Sequence, residues 1–163
     1  MGWLFLLALA ASAAGLPDLS TPRAAPEQPL PFSHKQHSEV GLKCAQCHPI
    51  PEPGDFATLP KTEICMACHK AVKKDSPHIL KLAAWHEQGE RIRWAPVYRI
   101  PDWVSFSHQR HTAVKDVTCG SCHGPVATRD VLQREKNLSM AACMSCHRAT
   151  GASNDCVLCH DQR

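Results

Sequence analysis

Five copies of the pattern Cys-x-x-Cys-His take up every cysteine in the chain: Cys44/Cys47/His48, Cys65/Cys68/His69, Cys119/Cys122/His123, Cys143/Cys146/His147 and Cys156/Cys159/His160. On a helical turn, positions i, i+3 and i+4 share one face, so two thiols and one imidazole project together. Two sulfurs can then bond the vinyl groups of a c-type haem while the histidine reaches its iron. Zinc and thiol-redox chemistry also use Cys-x-x-Cys. Zinc, however, draws four ligands from paired motifs, which five pairs cannot supply evenly, and it does not ask for histidine after every second cysteine. With 11 histidines in 163 residues, five such successes by chance have a probability of roughly one in a million, so the motifs predict five covalently bound haem c groups.

Composition agrees with a cofactor-filled interior. Only 44% of the chain is apolar, with one Tyr and four Phe, so side chains alone would make a thin core. The formal charge of +3 comes from 18 basic and 15 acidic residues without a run of either sign, and no nucleic-acid footprint is expected. Ten haem propionates would bring that charge to about −7 with ferrous irons and about −2 with ferric ones, so partner choice should follow the holo-protein. Residues 1–14 carry no charge and run Trp3 to Ala11 before Ser12-Ala13-Ala14. They read as a signal peptide, cleaved or kept as a short anchor, although no basic stretch precedes the apolar run. A dozen apolar residues fall short of the roughly twenty that span a bilayer. Export to the periplasm, possible location on the outer face of the cytoplasmic membrane, and consumption of all ten thiols by haem are mutually consistent.

An internal repeat follows a proline-rich leader (15–31). Phe32-Ser33-His34-Lys35-Gln36-His37 precedes the first two motifs, and Phe106-Ser107-His108-Gln109-Arg110-His111 precedes the third and fourth. This divides the chain into a first dihaem block (32–75), a helix and connecting strap (76–105), and a second block with three haems (106–163). His48, His69, His123, His147 and His160 are the expected proximal ligands. His34, His37, His108 and His111 are the expected distal ligands, each His-x-x-His pair serving two neighbouring irons from one helix face. The fifth distal ligand falls to His78 or His86, with Met140 as a competitor. Both histidines lie in a helix predicted over 77–88, with Ser76 as N-cap, Pro77 in the first turn and Gly89 as the stop. Ser139 and Thr62 are the expected caps for the turns carrying Cys143 and Cys65. Arg91, Arg93 and Arg99 are candidates to pair with haem propionates. The expected fold is mostly irregular with short α-helices, built from two repeated haem-binding blocks around the porphyrins.

The Phe-x-His-x-x-His and Cys-x-x-Cys-His arrangement resembles the class III, cytochrome c3 and c7-like, multihaem cytochromes. More narrowly, Pro31 to His37, Thr62 to Lys70, Ile100 to His108 and Leu138-Ser139-Met140 are similar to the pentahaem cytochrome subunit of alternative complex III, a quinol-oxidising respiratory complex. The chain departs from that pattern at Pro96, where a basic residue is expected, and at Ala141-Ala142, where Gly-Trp is expected. Neither His78 nor His86 falls in a matching stretch, so the docking partner stays open. The resemblance implies an electron carrier working with redox proteins, among them a membrane quinol oxidoreductase. Two other readings stand beside it: a small multihaem reductase with one open iron, and a subunit of an extracellular haem filament. The intact mass of the mature protein is expected to exceed that of the polypeptide by five haem additions, measured by mass spectrometry under denaturing conditions.

Overall fold

The structure, a computed structural model, describes residues 23–160. The signal segment 1–14, the start of the leader and the last three residues lie outside the described residues. The two Phe-Ser-His-x-x-His segments form α1 (His34–Glu39) and α5 (His108–Thr112). Helices of this length do not hold together alone in water. Each is started by its serine: Ser33 Oγ accepts from the Gln36 amide at 3.1 Å and Ser107 Oγ from the Arg110 amide at 3.3 Å. A second orphan amide of each first turn is met by the opposite block. The Lys35 N–H donates to the Arg129 carbonyl at 3.0 Å, and the Gln109 N–H donates to the Gly54 carbonyl at 2.9 Å. Arg129 and Gly54 occupy equivalent places, six residues beyond His123 and His48. The blocks therefore grip each other's histidine helices, in a reciprocal exchange.

The Cys motifs ride on α2 (Cys44–Cys47), α3 (Thr62–His69), α6 (Cys119–His123) and α7 (Met140–Thr150), while the fifth lies on a 3-10 turn, Cys156–Leu158. A further 3-10 turn, Val126–Thr128, packs against α1. Among the described residues no strand forms, and the isolated β-bridge is Arg23 to Arg134. The mostly irregular, short-helix architecture is as expected. The predicted long helix is α4 (Pro77–Glu87), entered through Ser76 and Pro77 and ended by Gly89 at φ +68°. A second helix, α7, is equally long at eleven residues, because Ser139 Oγ caps the Ala142 amide at 3.3 Å and Gly151 at φ +72° stops it. Thr62 is not the cap of α3: Lys61 takes that extended position and Thr62 is the first helical residue, 3% exposed.

Among the described residues, the buried apolar side chains are Leu30, Leu82 and Ile92, ringed by Met66, Ile79, Trp85 and Trp94. Leu30 belongs to the leader, which is held on the strap by Gln28: its side-chain amide donates to the Ala95 carbonyl at 2.8 Å and accepts from the Ala95 N–H at 3.0 Å. Such a core gives little hydrophobic stabilisation on its own. The junction between blocks is correspondingly sensitive. Gly54 sits at φ +95° and a Cβ there would collide with the Gln109 side chain. Gly54→Ala is expected to destabilise the holo-protein by about 1–3 kcal/mol, read as a lowered midpoint of thermal or denaturant unfolding.

Candidate haem sites

Four pairs of imidazoles face each other across the molecule. The ring centres of His34 and His48 are 6.5 Å apart with planes 10° from parallel, and those of His108 and His123 are 6.4 Å apart at 8°. His37 and His69 stand 6.2 Å apart, and His111 and His147 6.0 Å apart. Two imidazoles bound to opposite sides of one metal, each at about 2 Å, have centres roughly 6.3 Å apart. Each gap is thus the width of an iron and its two bonds. In each pair the closing histidine of a Cys motif meets a histidine of a Phe-Ser-His-x-x-His segment.

In six of these eight histidines the second ring nitrogen is tied back to the chain. Nδ1–H donates to a carbonyl in His37 (Ser33, 2.7 Å), His48 (Thr58, 2.7 Å), His69 (Val72, 2.9 Å), His108 (Asp55, 2.7 Å), His111 (Ser107, 2.7 Å) and His147 (Ser153, 2.6 Å). A carbonyl can only accept, so Nδ1 must hold the proton and Nε2 is left with the lone pair a metal needs. Burial lowers the pKa of His34, helped by neighbouring His48 and His37, and lowers that of His123, helped by His108 and His48. Both changes favour the neutral, ligating imidazole. Buried His34 Nδ1 has no partner, whereas its equivalent in the repeat, His108, has the Asp55 carbonyl.

Aromatic rings complete each site. Phe32 stacks on His37 with centres 4.4 Å apart and meets His34 edge-on at 4.8 Å. Phe106 repeats this with His111 at 4.3 Å and His108 at 4.9 Å. The phenylalanine of the motif is thus a wedge that orients both histidines. Tyr98, the single tyrosine, meets His123 edge-on at 4.8 Å; its hydroxyl donates to the His123 carbonyl at 3.2 Å and accepts from the Glu135 N–H at 3.1 Å. Sequence reasoning missed these aromatic roles, although the repeat of Phe two residues before each His-x-x-His was a visible signal.

The ten cysteines form no disulfide and stand exposed or half-buried. Burial pushes the Cys47, Cys65, Cys119, Cys122 and Cys143 thiols up. For Cys119 the neighbouring Cys44 thiol adds to this rise. Cys68, Cys146 and Cys156 are exposed and Cys159 is half-buried. The fifth motif is different. Among the described residues no imidazole faces exposed His160. His78 is exposed at the start of α4, and Met140 is 65% exposed at the start of α7. His86 is half-buried, its Nδ1 3.2 Å from the hydroxyl of Thr62 on α3, which packs against α4. Exposed Arg91 and Arg93 line a cavity of about 520 Å³ beyond α4, and Arg99 pairs with Asp102 at 3.7 Å.

The paired imidazoles, the unprotonated Nε2 atoms and the thiol pairs of the same motifs fit covalently bound haem c in donor type and spacing. Residues 13–95 match the model of the class III cytochrome c family, and residues 104–161 match that of cytochrome c7 and related cytochromes c. The chain belongs to the class III multihaem cytochromes c. Among curated relatives of this cytochrome is the menaquinone reductase, multiheme cytochrome c subunit, of Nitratidesulfovibrio vulgaris strain Hildenborough. It is 32% identical over 161 residues, covering 82% of this chain and 77% of that protein. Class III cytochromes c bind haem c covalently and transfer electrons, and that description holds for this chain. No helix among the described residues is long and apolar enough to cross a membrane. Within the cytochrome, Tyr98→Phe would leave the Glu135 amide without its acceptor and is expected to cost about 1–3 kcal/mol, measured as a fall in the unfolding midpoint of the holo-protein.

Proposed function

We propose that this cytochrome carries five haems and acts in the periplasm as the electron-transfer subunit of a quinone-linked membrane oxidoreductase. The observation that carries the reading is the set of four imidazole pairs at the separation of a doubly ligated iron, with Nδ1 donated to carbonyls in at least one ring of each pair. His48, His69, His123, His147 and His160 would hold the five irons from the proximal side. His34, His37, His108 and His111 would close four of them from the distal side. Haem bound in this way supplies a one-electron ferric/ferrous couple. At the four paired sites the chain's own histidines would close the iron from both sides, neutral and correctly turned, and would deny small molecules a vacant site. The signal-like residues 1–14 support export. The name of the N. vulgaris relative supports a quinone-linked complex as the partner. The chain's resemblance to a quinol-oxidising complex and the relative's description as a reductase point to opposite directions of electron flow.

One observation favours a second reading for the fifth haem alone. Since no imidazole faces His160 among the described residues, that iron would keep a position open to an external ligand, as a small reductase requires.

Both readings meet one experiment. Carbon monoxide added to the ferrous holo-protein is expected to bind no more than one iron per chain, seen in the Soret spectrum. Replacing His37 or His111 by Gly should raise the count by one, whereas His78→Gly should leave it unchanged. Binding at three or more irons in the unaltered protein would overturn the electron-relay reading. One ligand per chain would support the open fifth iron, and none would remove it.

A further inference from the structure

The two blocks interlock at one particular pair of motifs, and this bears on the route an electron takes. We propose that the haem sites follow one another in space in the order second, first, third, fourth, fifth, with the blocks joined between the first and third motifs. The inference rests on the five-haem reading above and adds the path to it.

Within each block the order comes from one short helix. His34 and His37 lie one turn apart on α1 and face His48 and His69, so the first and second sites are neighbours. His108 and His111 on α5 do the same for the third and fourth. The fifth adjoins the fourth: the Nδ1–H of His147 donates to the Ser153 carbonyl, Ser153 Oγ donates to Asp155 at 2.7 Å, and Asp155 is the N-cap of the turn carrying Cys156.

The junction between blocks decides the rest. The helix bearing His34 is docked on the loop just past His123, by the Lys35 amide on the Arg129 carbonyl and by Ser33 Oγ–H on the Asp130 carboxylate at 2.6 Å. The helix bearing His108 is docked on the loop just past His48, by the Gln109 amide on the Gly54 carbonyl and by the Gln109 side chain on Glu52 at 3.0 Å. The first block even sets the tautomer of a ligand in the second, since His108 Nδ1–H donates to the Asp55 carbonyl. Cys44, of the first motif, also neighbours Cys119, of the third. The second motif lies on α3, which packs on α4. Chain order would put the second site beside the third; the interlock puts the first there and leaves the second and fifth as the ends of the relay. An electron moving one place oxidises a ferrous iron and reduces its ferric neighbour without making or breaking a bond. A quinone-linked redox protein and a second redox protein exchange it at the ends.

Nuclear magnetic resonance of the haem methyl signals during stepwise reduction of the holo-protein tests the order. His34→Met, His37→Met and His108→Met assign the first, second and third haems by the rise in one potential each. A variant that fails to take up its haem assigns it equally, by the loss of its signals, with couplings read in the unaltered protein. Reduction of the first haem is expected to displace the midpoint of the third roughly twice as far as reduction of the second does, because charge interaction falls with separation. A third haem that responds more strongly to the second would overturn the order while leaving the five-haem reading intact. Fewer than five haem masses in the same preparation would overturn that reading, and the order with it.

Discussion

A hydrogen bond from imidazole Nδ1 to a backbone carbonyl recurs at six of the facing histidines, and the haem sites depend on it. It holds the ring in one orientation, places the proton on Nδ1 and leaves Nε2 with its lone pair. The carbonyls come from nearby positions for five of these histidines: Ser33 for His37, Ser107 for His111, Val72 for His69, Thr58 for His48 and Ser153 for His147. His108 takes its carbonyl from the other block. Ligand geometry and interblock packing are therefore the same interaction at that site.

This coupling explains how a chain with so few buried apolar residues can present ordered ligands. Six-residue and five-residue helices have too few internal hydrogen bonds to persist alone. Here the amides left over at their first turns are used as contacts between blocks, so closing the interface and forming the helices are one cooperative event. Phe32 and Phe106 then wedge both histidines of their helix, and Tyr98 ties the strap to the backbone at His123 and Glu135. Much of the ordering is thus polar and aromatic, with porphyrin left to fill the space that a larger protein would fill with side chains.

The haem attachment points were legible because covalent chemistry demands residue types at fixed spacing on one turn. The repeat was legible because two copies of Phe-Ser-His-x-x-His cannot arise by chance. Helix α4 was legible from Ser76, Pro77 and Gly89, which act within a few residues of themselves. Thr62 shows where local reasoning failed. A threonine ahead of a helix reads as a cap, yet its burial against α4 turned its hydroxyl toward His86, while Lys61 took the cap position. The second long helix, α7, has its own cap and stop in Ser139 and Gly151, whereas the Cys-x-x-Cys-His spacing between them specifies only a single turn.

What the amino-acid sequence determined by itself was chemistry bound to short spacing: five thiol pairs, five adjacent histidines, two His-x-x-His helices and the class of cofactor they accept. What only the tertiary structure decided was who faces whom. The pairing of His34 with His48 and of His108 with His123, the docking of each helix on the other block's loop, and the contact of His86 with Thr62 all depend on residues apart in the chain. No local spacing encodes such contacts, because they are set by which surfaces can satisfy one another's unpaired amides and aromatic edges once the chain has closed.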